Sequence, residues 1–353
     1  MAVIRKAACI GGGVIGGGWI ARLALNGIDV AVFDPHPEAR RKVDEVMTNA
    51  RHAYTRMAKK GLPKEGTVTF VGSIVEAVAD ADLIQESVPE RLEVKLKTLA
   101  EIETAAAPDA IIGSSTSGFK ATDMAVDMKH PERFLVAHPF NPVYLLPINE
   151  IVPGEKTSRE AVERASEAYT SIGMKCVVLN KEIDAFVGNR LLEAAWREAL
   201  WLVKDGVCTV EELDDIMRYG FGLRWAQMGM FQTYRIAGGE AGMRHFMAQF
   251  GPALAWPWTK LMDVPEFNDD LVDLIATQSD AQSGQWSIRE LERIRDDNLV
   301  AIIEALSKEN DGKGWGAGHL HEAYVKRLGQ AASPLSDAAA KAKAAKPRKK
   351  KKA

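Results

Sequence analysis

The sequence predicts an α/β protein, with a Rossmann-like, doubly wound, mostly parallel sheet and a second, all-helical domain. Short apolar runs alternate with helical stretches through the first half, which is typical of parallel sheets with helices on both faces. A glycine-rich turn follows the first run, Lys6–Ile10. After about Asp184 helical patterns replace the alternation, and six of the eight tryptophans lie between residues 184 and 306.

The first predicted elements are a strand at 6–10, an apolar helix at 19–26 that Gly27 ends, and a strand at 29–33. The charged residues 38–60 predict a helical hairpin. Further short apolar runs predict strands at 67–71, 82–85, 110–113, 134–137 and 174–179. The second half predicts helices at 186–204, 210–218 and 288–306, the last opened by Ser287 and Glu290 at capping-box spacing.

The composition of the 353 residues, 46% hydrophobic and 26% charged, is that of a soluble globular protein. The apolar runs are too short to cross a bilayer, and the N-terminus lacks a signal-peptide pattern, so no membrane partner is expected. Three scattered cysteines, Cys9, Cys176 and Cys208, show no metal-ligand spacing. We therefore expect no metal and a cytoplasmic location.

The net charge of −3 is unevenly distributed along the chain. The last 13 residues carry eight Lys and Arg and no acid, and subtracting these eight charges leaves −11 for the rest. An acidic body argues against nucleic acid as a specific partner. Order is expected to decline after Ser307, so residues 307–353 are predicted to be an extension with a basic, disordered tail.

The glycine-rich turn comprises Gly11, Gly12, Gly13, Val14, Ile15 and Gly16. It follows a predicted strand and opens a predicted helix, the context in which such a turn binds a dinucleotide. Gly11 permits the tight turn, Gly13 lets the backbone approach a pyrophosphate, and Gly16 lets helix and strand pack closely. The N–H groups at the helix N-terminus favour the phosphates.

Asp34 lies 18 residues after Gly16, at the end of the second predicted strand. A carboxylate there can accept hydrogen bonds from a ribose diol and would repel a 2′-phosphate, so NAD is the expected cofactor. The alternative role for Asp34 is to cap the proline-rich turn that follows it.

The stretch HPFNPVYLLPINE, residues 138–150, contains three prolines between one histidine and one carboxylate. Pro139 and Pro142 restrict the backbone of the residues before them. The stretch is therefore either a rigid mount for a catalytic pair or a structural loop whose polar side chains cap backbone groups.

Several separate motifs occur here in the order that the 3-hydroxyacyl-CoA dehydrogenase family has them, and the N-terminal half resembles that family over its whole length. They are IGGGVIGGGWI, QESVPERLEVK (85–95), SSTSG (114–118), HPFNP with Glu150, and AFVGNRLL (185–192). The resemblance implies an NAD-binding Rossmann-like domain, residues 1–183, and a helical substrate and dimerisation domain, residues 184–306, which forms a homodimer.

By this resemblance His138 is the general base and Glu150 the acid that orients it. A carboxylate that accepts one imidazole N–H selects the tautomer and stabilises the imidazolium. Ser117 and Asn189 match residues that contact the reacting oxygen, and Ser117 also approaches the nicotinamide. The alternatives are a turn serine and a polar residue at a helix N-terminus.

Three further positions match cofactor contacts in the family. Glu90 and Lys95 match positions near the nicotinamide ribose, and Asn141 matches another contact with the cofactor. For Glu90 and Lys95 the alternative is a pair of solvated charges on a surface helix.

The second half is similar to the L-carnitine 3-dehydrogenases, one group of this family, over residues 218–254, 258–261 and 289–306. Two segments that the acyl-CoA enzymes carry are altered or absent here, which weighs against CoA binding. The resemblance implies NAD-dependent oxidation of the 3-hydroxyl of L-carnitine. A 3-hydroxybutyryl-CoA or other small 3-hydroxy-acid dehydrogenase, and a non-catalytic NAD-binding protein with a basic tail, remain alternatives.

Carnitine carries a trimethylammonium, which aromatic faces attract by roughly 0.5–2 kcal/mol each, and a carboxylate, which suits a guanidinium. For any single aromatic residue, packing in the core is the more common role. The candidates for substrate contacts are Tyr144, Trp196, Trp225, Phe231 and Tyr234 for the trimethylammonium, and Arg190 and Arg224 for the carboxylate.

Overall fold

The structure, a computed structural model, describes residues 4–58, 61–226, 229–237, 242–250, 288–308 and 317–332, with a few positions between 259 and 285. Trp256, Trp258, Trp286, Ser287 and the basic tail lie outside the described residues. The described chain forms two compact units. One takes its residues from Met1–Glu182 and His321–Ala353, and the other from Ile183–Leu320.

The first unit contains an eight-stranded sheet in the order β3-β2-β1-β4-β5-β6-β7-β8. Neighbouring strands are parallel except β6 and β7, which are antiparallel. The predicted Rossmann-like, mostly parallel sheet is therefore confirmed. The strands are β1 (Lys6–Ile10), β2 (Asp29–Phe33), β3 (Val68–Phe70), β4 (Leu83–Glu86), β5 (Ile111–Ser114), β6 (Phe134–Pro139), β7 (Ile148–Pro153) and β8 (Lys175–Val178).

Helices flank this sheet. In most of them the buried residues recur every three or four positions, whereas the first helix is buried continuously from Gly16 to Leu25. The helices of the first half are α1 (Val14–Leu25), α2 (Ala39–Met57), α3 (Ile74–Val78), α4 (Leu92–Ala105), α5 (Ala121–Met124) and α6 (Arg159–Ser171). The prediction of a helical hairpin at 38–60 is wrong, because α2 is one continuous helix. No glycine or proline interrupts it, and Ala39, Val43, Met47, Ala50 and Tyr54 form a single buried face.

Strand β7 was not predicted from the sequence. Asn149 and Glu150 place two polar residues in the middle of this buried strand, so it does not read as an apolar run. The three prolines in residues 138–150 also indicated a loop and not a strand. In the structure His138 lies on β6 and Glu150 on β7, and only the residues between the strands form a connection.

The described secondary structure of the second unit is helical, as predicted. The helices there are α7 (Phe186–Lys204), α8 (Val210–Ile216), α9 (Gly222–Trp225), α10 (Met230–Ala237), α11 (Gly242–Phe250) and α12 (Ile288–Lys308), and a π-helical turn, Met217–Phe221, follows α8. In the part of the chain that the structure describes, no helix is long and apolar enough to span a membrane.

A helix near the C-terminus, α13 (Ala317–Ala332), corrects the expectation that order declines after Ser307. Tyr324 and Leu328 on α13 are buried, and from His321 onward the helix belongs to the first unit. The helix is stabilised by contacts with the first unit, where the Tyr324 hydroxyl bonds Tyr54 and Asn26. These partners cannot be seen in the local sequence.

Candidate active site

The residues that the sequence proposed for the cofactor follow the carboxyl ends of parallel strands. The glycine-rich turn follows β1, Asp34 follows β2, Glu90 follows β4 and Ser117 follows β5. Ligands of open α/β sheets bind at this edge. A cavity of about 820 Å³ opens there, and the glycine-rich turn, Asp34, Ser87 and Val94 help to line it.

The glycine-rich turn has the geometry that its sequence predicted. Gly11 has φ +102°, and a Cβ there would lie 2.5 Å from the carbonyl oxygen of Ser87. A Cβ at Gly16 would overlap the carbonyl oxygen of Gly11, whereas one at Gly13 would meet no atom within 4 Å. The backbone at Gly13 therefore faces open space beside the N-terminus of α1, where a pyrophosphate fits.

Asp34 makes the turn cap that was its alternative role, while its contact with a ribose stays a prediction. Its Oδ2 accepts the Gly12 N–H at 2.6 Å, and its Oδ1 accepts the His36 N–H at 2.8 Å. The second bond is the turn cap, and the first anchors the glycine-rich turn. The carboxylate also lines the cavity, so the residues present fit an adenosine ribose.

Two glycine substitutions should separate the folding role of this turn from its binding role. Gly13→Ala should leave the free energy of unfolding within about 0.5 kcal/mol of the unchanged protein. Its methyl group enters the cavity, so the Kd of NAD should rise roughly tenfold or more. Gly16→Ala should lower both the stability and the affinity for NAD, because its Cβ overlaps backbone. Denaturant unfolding and fluorescence titration would test this, and equal behaviour of the two variants would contradict it.

His138 and Glu150 stand directly opposite each other across the β6–β7 pair. The imidazole Nδ1 lies 2.8 Å from Glu150 Oε2, and both side chains are buried. Cross-strand neighbours hold side chains at a set distance, so the twelve-residue separation in sequence becomes a direct contact. If Nδ1–H donates to the carboxylate, Nε2 is the nitrogen that can accept a proton.

Glu90 organises the loop that carries Ser117. One carboxylate oxygen, Oε1, accepts the Thr116 hydroxyl at 2.6 Å and the backbone N–H groups of Ser117 and Gly118 at 2.9 and 3.1 Å. Burial alone would raise the pKa of Glu90, but the Thr116 hydroxyl, the Lys95 charge and the Ser117 N–H together lower it. The carboxylate thus stays ionised and holds this loop in one conformation.

Lys95 does not face solvent, contrary to the alternative of a solvated surface charge. Its side chain is 1% exposed, and Nζ lies 2.9 Å from Glu86 Oε1 and 3.2 Å from Glu90 Oε2. The predicted contact of Lys95 with the cofactor stays a prediction, and the burial of its ammonium weighs against it. The observed link of Lys95 to the Ser117 loop is its ion pair with Glu90.

Glu86 is the residue of this network that sequence reasoning missed. It is 0% exposed, accepts the Val88 N–H at 2.7 Å and the Ser114 hydroxyl, and pairs with Lys95. The sequence did contain a sign of this residue, because Glu86 is a carboxylate at the end of an apolar strand. A charge buried at such a place requires a partner of opposite charge.

Asn189 lies in the first turn of α7, in the second unit. Its position at a helix N-terminus agrees with the alternative role and leaves the catalytic role a prediction. Asn141 is exposed in the β6–β7 connection.

Six of the seven candidates for substrate contacts belong to the second unit and are at least partly exposed: Arg190, Trp196, Arg224, Trp225, Phe231 and Tyr234. Trp225 packs against Phe221 and Tyr234 stacks on Phe246, each at a centroid distance of 4.6 Å. Tyr144 differs, because it is buried in the first unit. Its burial favours the core alternative over contact with a substrate.

Comparisons with known proteins agree with this geometry. Residues 6–183 match the 3-hydroxyacyl-CoA dehydrogenase NAD binding domain, and residues 186–267 match the C-terminal domain of the same family. L-Carnitine dehydrogenase of Mesorhizobium japonicum is 73% identical over 94% of this chain and 92% of its own length. L-Carnitine dehydrogenase of Pseudomonas putida is 50% identical over 88% of this chain and 97% of its own length.

A solved structure supports the same relationship. It is a 5-formyl-3-hydroxy-2-methylpyridine 4-carboxylic acid 5-dehydrogenase, an NAD⁺-dependent dismutase, with a TM-score of 0.73 and 30% identity. The match covers 87% of this chain and 99% of that one. The cofactor of this chain is therefore NAD, and the chain belongs to the 3-hydroxyacyl-CoA dehydrogenase family of NAD-dependent oxidoreductases.

Proposed function

We propose that this chain oxidises the 3-hydroxyl of L-carnitine to 3-dehydrocarnitine, with His138 as general base and Glu150 as its orienting acid. The similarity to L-carnitine dehydrogenases over nearly the whole chain supports the substrate. The observation that carries the chemistry is the buried His138–Glu150 contact of 2.8 Å, directly across two paired strands.

When bound, NAD supplies the hydride acceptor of the reaction. Nε2 of His138 takes the proton of the 3-hydroxyl, while Nδ1–H remains hydrogen-bonded to Glu150. The carboxylate stabilises the imidazolium that results and keeps the ring in one orientation. A histidine suits this step because its ordinary pKa lies close to neutral pH.

Ser117 and Asn189 are proposed to hold the reacting oxygen by hydrogen bonds. The Glu90 carboxylate supports this role of Ser117, because it binds the backbone N–H of Ser117 and both neighbouring residues of the loop. A hydrogen-bond donor that is already in position stabilises the charge that develops on the reacting oxygen better than one that must first move.

For the two ends of carnitine we propose that exposed aromatic faces of the second unit attract the trimethylammonium and that Arg190 or Arg224 binds the carboxylate. The permanently charged guanidinium can bind a carboxylate through two parallel hydrogen bonds. Trp196 and Phe231 are the aromatic candidates with the largest exposed fractions, 51% and 78%.

Substrate oxidation by the purified protein tests the proposal. With NAD, L-carnitine should give NADH at a rate well above that with 3-hydroxybutyryl-CoA, measured by absorbance at equal substrate concentrations. Turnover of the thioester alone would replace this proposal with the acyl-CoA alternative. Turnover of neither would favour the non-catalytic alternative.

We also propose that the protein is a cytoplasmic homodimer. Leu191 and Leu192 on α7 are exposed apolar side chains, and burying them between two copies would be favourable. Cys9, Cys176 and Cys208 are free thiols, as a reducing compartment favours. Light scattering after size-exclusion chromatography should give twice the mass of the 38.6 kDa chain, and a monomer mass would contradict the dimer.

A further inference from the structure

Arg22, on α1, is only 1% exposed although its guanidinium is permanently charged. All three of its hydrogen bonds go to main-chain carbonyl oxygens. Nε donates to Val143 at 2.7 Å, Nη1 to Ile172 at 2.9 Å, and Nη2 to Leu146 at 3.2 Å. Burying a charge is costly unless it is fully hydrogen-bonded, so these bonds must compensate for the desolvation of the guanidinium.

Two of the three acceptors lie in the β6–β7 connection, residues 140–147. Within it the N–H groups of Leu145 and Leu146 both donate to the Pro142 carbonyl, whereas the Val143 and Leu146 carbonyls bind Arg22. The third acceptor, Ile172, caps the C-terminus of α6, where carbonyls lack intrahelical partners. One side chain therefore joins α1, the connection and the end of α6.

The position of Arg22 on α1 relates this contact to the cofactor site. Helix α1 begins at the glycine-rich turn, and Arg22 lies eight residues after Val14, roughly 12 Å along the helix axis. The β6–β7 connection, which accepts two of the Arg22 bonds, joins the strand of His138 to the strand of Glu150. The distance between the glycine-rich turn and the proposed base therefore depends on how this connection is attached to α1.

We propose that Arg22 is a positioning residue that holds the β6–β7 pair, with His138 and Glu150, in register with the cofactor-binding turn. The planar guanidinium can direct separate N–H groups at several carbonyls at once, which an ammonium cannot do in the same geometry. The catalytic part of this inference rests on the proposed function of His138.

Helix α13 keeps water away from this contact. The ring centroid of Tyr324 lies 6.0 Å from Arg22 Cζ, and its hydroxyl accepts a hydrogen bond from Asn26 Nδ2 at 2.9 Å. The same hydroxyl pairs with that of Tyr54 at 2.7 Å. The ring also packs on Gly173, where a Cβ would lie 2.6 Å from it. Excluding water strengthens the carbonyl bonds of Arg22.

Arg22→Lys tests the proposal because it keeps the charge but cannot reproduce the three bonds. Amide hydrogen exchange at residues 140–147 should become faster, and kcat for L-carnitine should fall by roughly 10–100-fold, since a displacement of about 1 Å can cost that much. The Kd of NAD should change far less than kcat, because the glycine-rich turn is untouched and Asn141 is the one predicted cofactor contact in the connection.

The kcat of the folded protein separates positioning from a general loss of stability. If the connection loosens, His138 and Glu150 are displaced from the reacting atoms. The kcat per folded molecule should therefore fall in Arg22→Lys, with the folded fraction measured by circular dichroism. Arg51→Lys is the matched control, since Arg51 pairs with Glu65 on the surface and should leave all these readouts unchanged.

Hydrogen exchange requires no substrate, so it distinguishes failure of this inference from failure of the proposed function. A wild-type protein without carnitine turnover would count against the proposed function, while faster exchange in Arg22→Lys would still support the contact. Unchanged exchange at 140–147 in both Arg22→Lys and Arg22→Met would overturn the inference. So would a fall in kcat that only follows the folded fraction.

Discussion

Replacing His138 with alanine is expected to lower kcat for L-carnitine oxidation by roughly 10²–10⁴-fold, the usual contribution of a general base. The change removes the proton acceptor, whereas the glycine-rich turn and Asp34 keep their contacts. The Kd of NAD should therefore stay nearly unchanged. NADH absorbance gives the rate, and quenching of tryptophan fluorescence gives the affinity for NAD.

His130→Ala is the matched control for this prediction. His130 lies on the surface beside Glu132, 3.3 Å away, so its loss should leave kcat unaltered. The kcat of Glu150→Gln should lie between those of His138→Ala and His130→Ala, because an amide still contacts the ring but stabilises the imidazolium less. If His138→Ala retained full turnover, His138 would not be the base.

Replacing Lys95 with methionine is expected to lower the free energy of unfolding by about 3–5 kcal/mol, the range found when one partner of a buried ion pair is removed. The side chains of Lys95 and Glu86 are 1% and 0% exposed, and they lie 2.9 Å apart. Without the ammonium, Glu86 keeps a desolvated charge with no counter-ion at this position. Guanidinium unfolding followed by circular dichroism measures the loss.

Two further variants show whether burial causes this loss. Lys6→Met removes an exposed pair with Asp80, at 3.1 Å, and should cost at most about 1 kcal/mol. Adding Glu86→Gln to Lys95→Met removes the unpaired charge and should restore part of the stability. Equal losses of unfolding free energy for Lys6→Met and Lys95→Met would show that the buried ion pair contributes no more to stability than the exposed one.

The same network should also affect catalysis. Lys95 binds Glu90, and Glu90 binds the backbone around Ser117. If Ser117 holds the reacting oxygen, Lys95→Met should lower kcat more than it raises the Kd of NAD. A fall in kcat with little change in Kd would indicate that the Ser117 loop has moved away from the reacting atoms. A rise in the Kd of NAD would instead indicate damage to the cofactor site.

The glycine-rich turn and Asp34 show how much local sequence can predict. The turn depends on the conformational freedom of glycine and on the absence of a Cβ, which are properties of the residues themselves. Parallel strands buried on both faces appear as short apolar runs, so most strands were predicted close to their observed bounds. Strand β7 was missed because two of its buried residues, Asn149 and Glu150, are polar.

The sequence by itself determined the fold class and the dinucleotide turn, because these follow from local pattern. The choice of His138 and Glu150 as a pair came from the resemblance to a family whose motifs occur here in the same order. Only the tertiary structure decided that the pair meets across two strands, that Glu86 neutralises Lys95, and that α13 covers Arg22. Strand register and burial bring residues far apart in the chain into contact, and a local pattern contains no information about such partners.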